Sequence, residues 1–179
     1  MVRVLARTPL TPDIITWLGF ILVLGAAALI ITGHPFAAGF VVLLAGFFDI
    51  LDGALARLTG RVTPFGGVLD STLDRLSDAA LLVAILVFFE DTPWLVLLVF
   101  LALVGSLLVS YIRARAQAAG LECRAGIFTR SERIIVLALG LLLSHLTNAL
   151  VIALAIIVVL SFFTAGQRLF YVWRHQKSD

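Results

Sequence analysis

Residues 36–89 read FAAGFVVLLAGFFDILDGALARLTGRVTPFGGVLDSTLDRLSDAALLVAILVFF. The stretch contains two apolar runs joined by a short polar segment. Each run is long enough to cross a bilayer as a helix, which takes about 20 residues at a rise of about 1.5 Å each. Acidic residues stand where the runs meet, at Asp49, Asp52, Asp70, Asp74 and Asp78. The stretch therefore predicts a helical membrane hairpin with carboxylates near one membrane face.

The composition of the whole chain also indicates a membrane protein. Of its 179 residues, 61% are hydrophobic and 13% are charged, whereas soluble domains are about half apolar and about a quarter charged. So apolar a chain has too few polar residues to cover a soluble surface. Its length suits one membrane domain over residues 1–179 and leaves no room for a second, soluble domain.

Gly and Pro divide the apolar sequence into six predicted spans. The fold class is therefore all-α, a polytopic membrane protein with six transmembrane helices. The predicted spans are Asp13–Ile31, Phe36–Arg57, Gly66–Phe89, Trp94–Gln117, Ser131–Leu146 and Ala149–Trp173. Thr11 is expected to cap the first span, with Pro12 at its first helical position.

The positive charges support this count of spans. With the N-terminus in the cytoplasm, all 13 Lys and Arg residues fall on the cytoplasmic side, which is the side they favour. They are Arg3, Arg7, Arg57, Arg61, Arg75, Arg113, Arg115, Arg124, Arg130, Arg133, Arg168, Arg174 and Lys177. We expect a multi-pass protein of the cell (cytoplasmic) membrane, with both termini and a polar active-site cavity on the cytoplasmic side.

The spacing of the acids predicts that four of them meet. Asp49 and Asp52 are three residues apart and Asp70 and Asp74 are four apart, so each pair shares one helix face. The segment 58–65 is short enough for the two helices to pack as antiparallel neighbours with the pairs facing each other. Four such carboxylates repel unless protons or cations neutralise them. Oxygen ligands without His or Cys select hard cations such as Mg²⁺, Mn²⁺ or Ca²⁺.

From spacing alone, three interpretations stay open: a site for two metal ions, an ion path of a transporter, and a structural role at helix ends. Small residues beside the acids (Gly53, Ala56 and Gly66) let a ligand approach closely, although helix packing would use them in the same way. Arg57 lies one turn past Gly53 and could reach an anion. A cation cluster, an accessible backbone and an arginine together favour a diphosphate.

These residues form one continuous pattern, Asp49-x-x-Asp52-Gly53-x-x-Ala56-Arg57, eight residues, Gly66-x-x-x-Asp70-x-x-x-Asp74. The pattern resembles the signature of the CDP-alcohol phosphotransferase family at all its defined positions. That family transfers a substituted phosphate from a CDP-linked donor to an alcohol and releases CMP. The resemblance implies a homodimer that acts at the lipid bilayer, with no nucleic-acid partner.

The resemblance also implies a role for each signature residue. The predicted metal ligands for two divalent ions, Mg²⁺ or Mn²⁺, are Asp49, Asp52, Asp70 and Asp74. Asp74 is in addition the predicted catalytic base that takes the proton of the acceptor hydroxyl. The predicted CDP-binding residues are Gly53, Ala56, Arg57 and Gly66.

Three further segments resemble the phosphatidylinositol-phosphate synthase branch of the family: YIRARA at 111–116, GIFTRSER at 126–133 and DSTLDR at 70–75. In that branch, basic residues bind the phosphate of inositol phosphate. The acceptor phosphate-binding positions implied here are Arg113, Arg130 and Arg168, with Arg115 and Arg133 as helpers. Each could instead be a positive-inside residue that contacts lipid phosphate.

The sequence therefore predicts a phosphatidyltransferase that uses CDP-diacylglycerol, or a related CDP-lipid, and an anionic polar alcohol, which we expect to be inositol phosphate. Glycerol 3-phosphate is also anionic, so an enzyme like phosphatidylglycerophosphate synthase stays open. Two other classes, an ion-coupled transporter and a non-catalytic scaffold, would also use a buried acidic cluster.

Overall fold

The computed structural model describes residues 11–60, 63–122 and 125–175. It has six helices in these ranges, which end within two residues of the predicted spans except at the C-terminal end of the fifth. The helices are α1 (Pro12–Ile31), α2 (Pro35–Thr59), α3 (Pro64–Phe88), α4 (Pro93–Ala118), α5 (Arg130–Leu142) and α6 (Ala149–His175). The predicted cytoplasmic charges at Arg3, Arg7, Arg61, Arg124 and Lys177 lie outside the described residues.

Local sequence signals explain where the helices begin and end. The first four each start with Pro, a position where its missing N–H leaves no hydrogen bond unmade. Thr11 is the N-cap residue of α1, as predicted, but its side chain makes no capping hydrogen bond. Before α5, the Glu132 carboxylate accepts a hydrogen bond from the backbone N–H of Thr129 at 2.8 Å, one half of a capping box.

The six helices form a ring in which their order differs from their order along the chain. Around the ring the order is α2, α1, α3, α4, α6 and α5, and α5 packs back against α2. We expected α2 and α3 to pack directly on each other. This expectation was wrong, because each of them packs against α1 instead. Small buried residues of α1, such as Ala26 and Ala27, allow this close packing.

One apolar core joins all six helices and lies mainly towards the ends of the helices that are away from the acids. Several helix crossings in it are too close for a side chain. A Cβ on Gly39 would lie 2.8 Å from Leu142, and one on Gly140 would lie 2.5 Å from Ala153. Small residues allow such close crossings in membrane proteins, so these glycines let α5 pack closely against α2 and α6.

Four helices, α1, α2, α4 and α6, are long and apolar enough to cross a membrane. The other two differ: α3 carries several charges in its first half, and α5 has 13 residues. Large apolar side chains such as Phe40, Ile152 and Phe163 point outwards and are exposed. So much outward apolar surface suits contact with lipid rather than water, and the chain is a membrane protein.

Candidate active site

Three of the predicted metal ligands meet in the structure. Asp49 near the end of α2 and Asp70 and Asp74 near the start of α3 each place one carboxylate oxygen within 4.8 Å of the other two. The two helices make little or no backbone contact, so these side chains meet across the space between them. A cluster made only of carboxylate oxygens suits Mg²⁺ or Mn²⁺.

Asp52, the fourth predicted ligand, is the most buried of the set. It is 5% exposed, and its Oδ2 has no hydrogen-bond partner among the described residues. It lines a small cavity of about 30 Å³ together with Asp49 and Asp74. Because a buried carboxylate oxygen without a partner is costly, this position calls for a cation or a proton.

Arg130, the first residue of α5, brings a positive charge to the cluster. Its Nη1 lies 2.8 Å from Asp49 Oδ2 and 2.8 Å from Asp74 Oδ1. The sequence predicted Arg130 as a ligand of the acceptor phosphate. The structure places Arg130 beside the carboxylates and also in the lining of a cavity between α3, α4, α5 and α6. It can therefore contact both the carboxylates and a ligand in that cavity.

A cavity of about 190 Å³, here called the glycine cavity, opens on one side of the cluster. All four residues predicted to bind CDP line it: Gly53, Ala56, Arg57 and Gly66. It also reaches Asp52 and Asp70. The C-terminal half of α2, the first two turns of α3 and the start of α1 thus form one pocket beside the carboxylates.

A larger cavity of about 630 Å³, here called the arginine cavity, opens on the other side of the cluster between α3, α4, α5 and α6. Its charged lining residues are Asp70, Asp74, Arg75, Asp78, Arg113, Arg130, Arg133 and Arg168. Four of the five arginines predicted for the acceptor phosphate are among them. Arg115 is exposed and lies outside this lining.

Besides lining the arginine cavity, Arg168 donates hydrogen bonds to two backbone carbonyls. Its Nε donates to the carbonyl of Ala125 at 2.9 Å, and its Nη1 donates to the carbonyl of Val109. Gly126 has a φ of +114°, and a Cβ there would lie 2.7 Å from Thr164 Cγ2 and 3.0 Å from Arg168 Nε, which explains the glycine there. These bonds fasten the segment before α5, and hence the start of α5 with Arg130, to α4 and α6.

The sequence profile of the CDP-alcohol phosphatidyltransferase family matches residues 9–164. The chain belongs to this family.

Curated members of this CDP-alcohol phosphatidyltransferase family resemble the chain over nearly its whole length. The archaetidylinositol phosphate synthase of Methanothermobacter thermautotrophicus is 42% identical over 96% of this chain and 87% of its own. The phosphatidylinositol phosphate synthase of Mycobacterium tuberculosis is 41% identical over 96% of this chain and 83% of its own.

Solved structures of the same mycobacterial enzyme have the same fold. One with CDP-DAG bound matches with a TM-score of 0.88 and 39% identity, over 96% of this chain and 91% of that chain. Another, in complex with manganese and citrate, matches with a TM-score of 0.88 and 39% identity, over 96% of this chain and 87% of that chain.

The family signature did not indicate every residue at the two cavities. Asp13 and Thr16 of α1 also line the glycine cavity, as does Thr63, whose hydroxyl accepts from the backbone N–H of Gly66 at 3.0 Å. The Thr63-Pro64 pair was a usable signal, because Thr before Pro typically starts a helix. Asp78 continues the four-residue spacing of Asp70 and Asp74, and it too faces the arginine cavity.

Proposed function

We propose that this chain is an integral membrane phosphatidyltransferase. It moves a phosphatidyl group from CDP-diacylglycerol, or a similar CDP-lipid, to a hydroxyl of inositol phosphate and releases CMP. The observation that carries this proposal is that the carboxylate cluster lies between two cavities, with Asp70 lining both. A donor in the glycine cavity and an anionic acceptor in the arginine cavity would meet at the same carboxylates.

Asp49, Asp52, Asp70 and Asp74 would hold two divalent cations, Mg²⁺ or Mn²⁺. The donor set fits, because three carboxylate oxygens lie within 4.8 Å of one another and the buried Oδ2 of Asp52 has no partner among the described residues. Such cations neutralise the charge of a diphosphate and stabilise the departing phosphate of CMP.

The glycine cavity is the proposed site for the CDP part of the donor. A Cβ on Gly66 would lie 3.0 Å from Thr63 Oγ1, and a Cβ on Gly53 would lie 3.4 Å from Arg57 Nη1. Glycine at both positions therefore keeps the space next to the carboxylates open. Arg57 and the small side chain of Ala56 complete this wall, where the guanidinium can pair with phosphate oxygens.

Asp74 is the proposed general base. It belongs to the cluster and also lines the arginine cavity, where the acceptor would enter. The hydroxyl oxygen of the acceptor bonds to the lipid-linked phosphorus while its proton passes to the Asp74 carboxylate. The bond from that phosphorus to the bridging oxygen breaks, and the electron pair leaves with CMP.

The arginine cavity is the proposed site for the acceptor phosphate. Arg113, Arg130, Arg133 and Arg168 line it, and guanidiniums bind phosphate through paired, charge-assisted hydrogen bonds. The relatives, named for inositol phosphate lipids, support inositol phosphate over glycerol 3-phosphate. We assign the exposed Arg115 to lipid phosphate at the membrane surface, where basic residues are favoured.

We also propose a single domain over residues 1–179, with six transmembrane helices, a homodimeric assembly and both termini in the cytoplasm. The arginines of the described ranges support the cytoplasmic side for the cavities, because they cluster at the helix ends around them. The helix α3, which is less apolar, and the helix α5, which is shorter, would cross the membrane beside the other four helices of the ring.

A side-by-side assay of acceptors tests the proposal. The purified protein receives CDP-diacylglycerol and Mn²⁺ or Mg²⁺, with inositol phosphate, glycerol 3-phosphate or serine, and CMP release is measured. We expect release with inositol phosphate and none after chelation of the divalent ions. Release only with glycerol 3-phosphate would instead identify the alternative acceptor. Flux of a solute across sealed vesicles without any CMP release would indicate a transporter.

A further inference from the structure

Asp78 lies one turn beyond Asp74 on α3 and outside the four predicted metal ligands. Its side chain is 12% exposed, and its two oxygens face two different arginines of α5. Arg133 Nη2 donates to Asp78 Oδ2 at 3.1 Å, and Arg130 Nε lies 3.5 Å from Asp78 Oδ1. One carboxylate therefore hydrogen-bonds one guanidinium and forms an ion pair with a second, three residues away on the same helix, whose Nε has no hydrogen-bond partner among the described residues.

Arg133 depends on this contact because it is almost completely buried. Its side chain is 4% exposed, and its Nε and Nη1 have no hydrogen-bond partner among the described residues. Asp78 thus fixes one corner of the guanidinium of a residue that also lines the arginine cavity. A buried guanidinium with unpaired N–H donors favours a further anion close by, since buried donors without a partner are costly.

Arg130 has a different reason to need Asp78. Its other carboxylate contacts, with Asp49 and Asp74, involve residues proposed to hold divalent cations. Once those two carboxylates hold cations, their attraction for a guanidinium falls. The described residues give Arg130 three carboxylate contacts, with Asp49, Asp74 and Asp78. Of these three, Asp78 is the one that is not a proposed cation ligand.

We propose that Asp78 is a positioning residue that orients Arg130 and Arg133 towards the phosphate of the acceptor. The inference rests on the proposed function, because it assigns the arginine cavity to an anionic alcohol. Asp78 does not touch the reacting atoms. It sets the affinity for the acceptor through the two arginines and leaves the donor and the cations unaffected.

The test compares Asp78→Asn with the wild type and with Asp91→Asn, an exposed acid in the connection between α3 and α4. Kinetics with inositol phosphate and CDP-diacylglycerol give KM for each substrate. We expect the KM for inositol phosphate to rise about tenfold in Asp78→Asn, with kcat lowered less than about threefold and the donor KM changed less than about twofold. Asp91→Asn should match the wild type.

Two binding measurements separate positioning from a merely structural role. Calorimetry with inositol phosphate, on protein loaded with Mn²⁺ and CDP, should show about tenfold weaker binding in Asp78→Asn, while Mn²⁺ affinity stays within about twofold. Equal losses for donor, acceptor and Mn²⁺, or an unchanged acceptor affinity, would overturn the inference. Failure of the wild type to use inositol phosphate would instead overturn the proposed function.

A second variant decides the matter if Asp78→Asn does not fold. Asp78→Glu keeps the charge but moves the carboxylate by one methylene, which shifts both guanidiniums. We expect acceptor binding about threefold weaker, with donor and Mn²⁺ binding unchanged. Unchanged acceptor binding, or the same loss for all three ligands, would contradict a positioning role.

Discussion

The glycine cavity and the arginine cavity share Asp70 but are built in opposite ways. The glycine cavity is formed within a short stretch of chain, from the end of α2 and the start of α3 with α1 beside them. The arginine cavity takes its charged residues from four helices, at positions as far apart as Asp70 and Arg168. The first is lined by several small residues, and the second by arginines, of which Arg133 and Arg168 are buried.

The two cavities therefore depend on different levels of structure. A pocket made by one continuous signature is specified locally, by helix period and glycine spacing. A pocket made by four helices depends on how the whole ring packs, so small changes in α4 to α6 can alter it. We therefore expect changes to the glycine cavity to affect the donor and changes to the arginine cavity to affect the acceptor.

The largest effect is expected where the two cavities meet. Asp74→Asn removes both a metal ligand and the proposed base, so kcat should fall by at least about 10³-fold. CMP release with saturating donor and acceptor measures this loss. Asn has nearly the same size as Asp, and Arg130 keeps its contact with Asp49, so the unfolding temperature should change little. Turnover near the wild-type rate would refute the role of Asp74.

A change confined to the arginine cavity should have a smaller and selective effect. Arg133→Gln removes a buried guanidinium that pairs with Asp78, and we expect the KM for inositol phosphate to rise about 100-fold while the donor KM stays within about twofold. Steady-state kinetics with each substrate varied in turn measures the two values. Arg174→Gln, at an exposed position near the end of α6, is the matched control. A parallel rise in both KM values would show that the cavities are not independent.

The reverse selectivity is expected for Gly66→Ala. The added Cβ would lie 3.0 Å from Thr63 Oγ1 and 3.3 Å from Asp13 Oδ1, so the walls of the glycine cavity must move apart. We expect the KM for the CDP-lipid to rise about tenfold with little change for the acceptor. Gly25→Ala, where a Cβ would meet nothing within 4 Å, should leave both values unchanged. A larger effect on the acceptor than on the donor would contradict the assignment of this cavity.

The sequence predicted the six helices, and its four residues expected to bind CDP all line the glycine cavity, because both depend on local patterns. Proline at the start of four helices and the i, i+4 spacing of the acids are visible in the chain itself. The packing of α1 against both α2 and α3 was missed, since connection length limits which helices can be neighbours but does not select among them. The role of Asp78 was also missed, because its partners Arg130 and Arg133 come from a helix far away in sequence.

The smallest effect is expected at Arg115, and helix geometry explains why. Residues two apart on a helix point in directions about 200° apart, since each residue turns about 100°. Arg113 lines the arginine cavity, so Arg115 faces away from it, and the structure leaves Arg115 exposed. Arg115→Gln should therefore change the KM for inositol phosphate by less than about twofold, whereas Arg113→Gln should raise it about tenfold. Equal effects of the two changes, measured in the same detergent and lipid, would mean that the end of α4 rotates or unwinds when the acceptor binds.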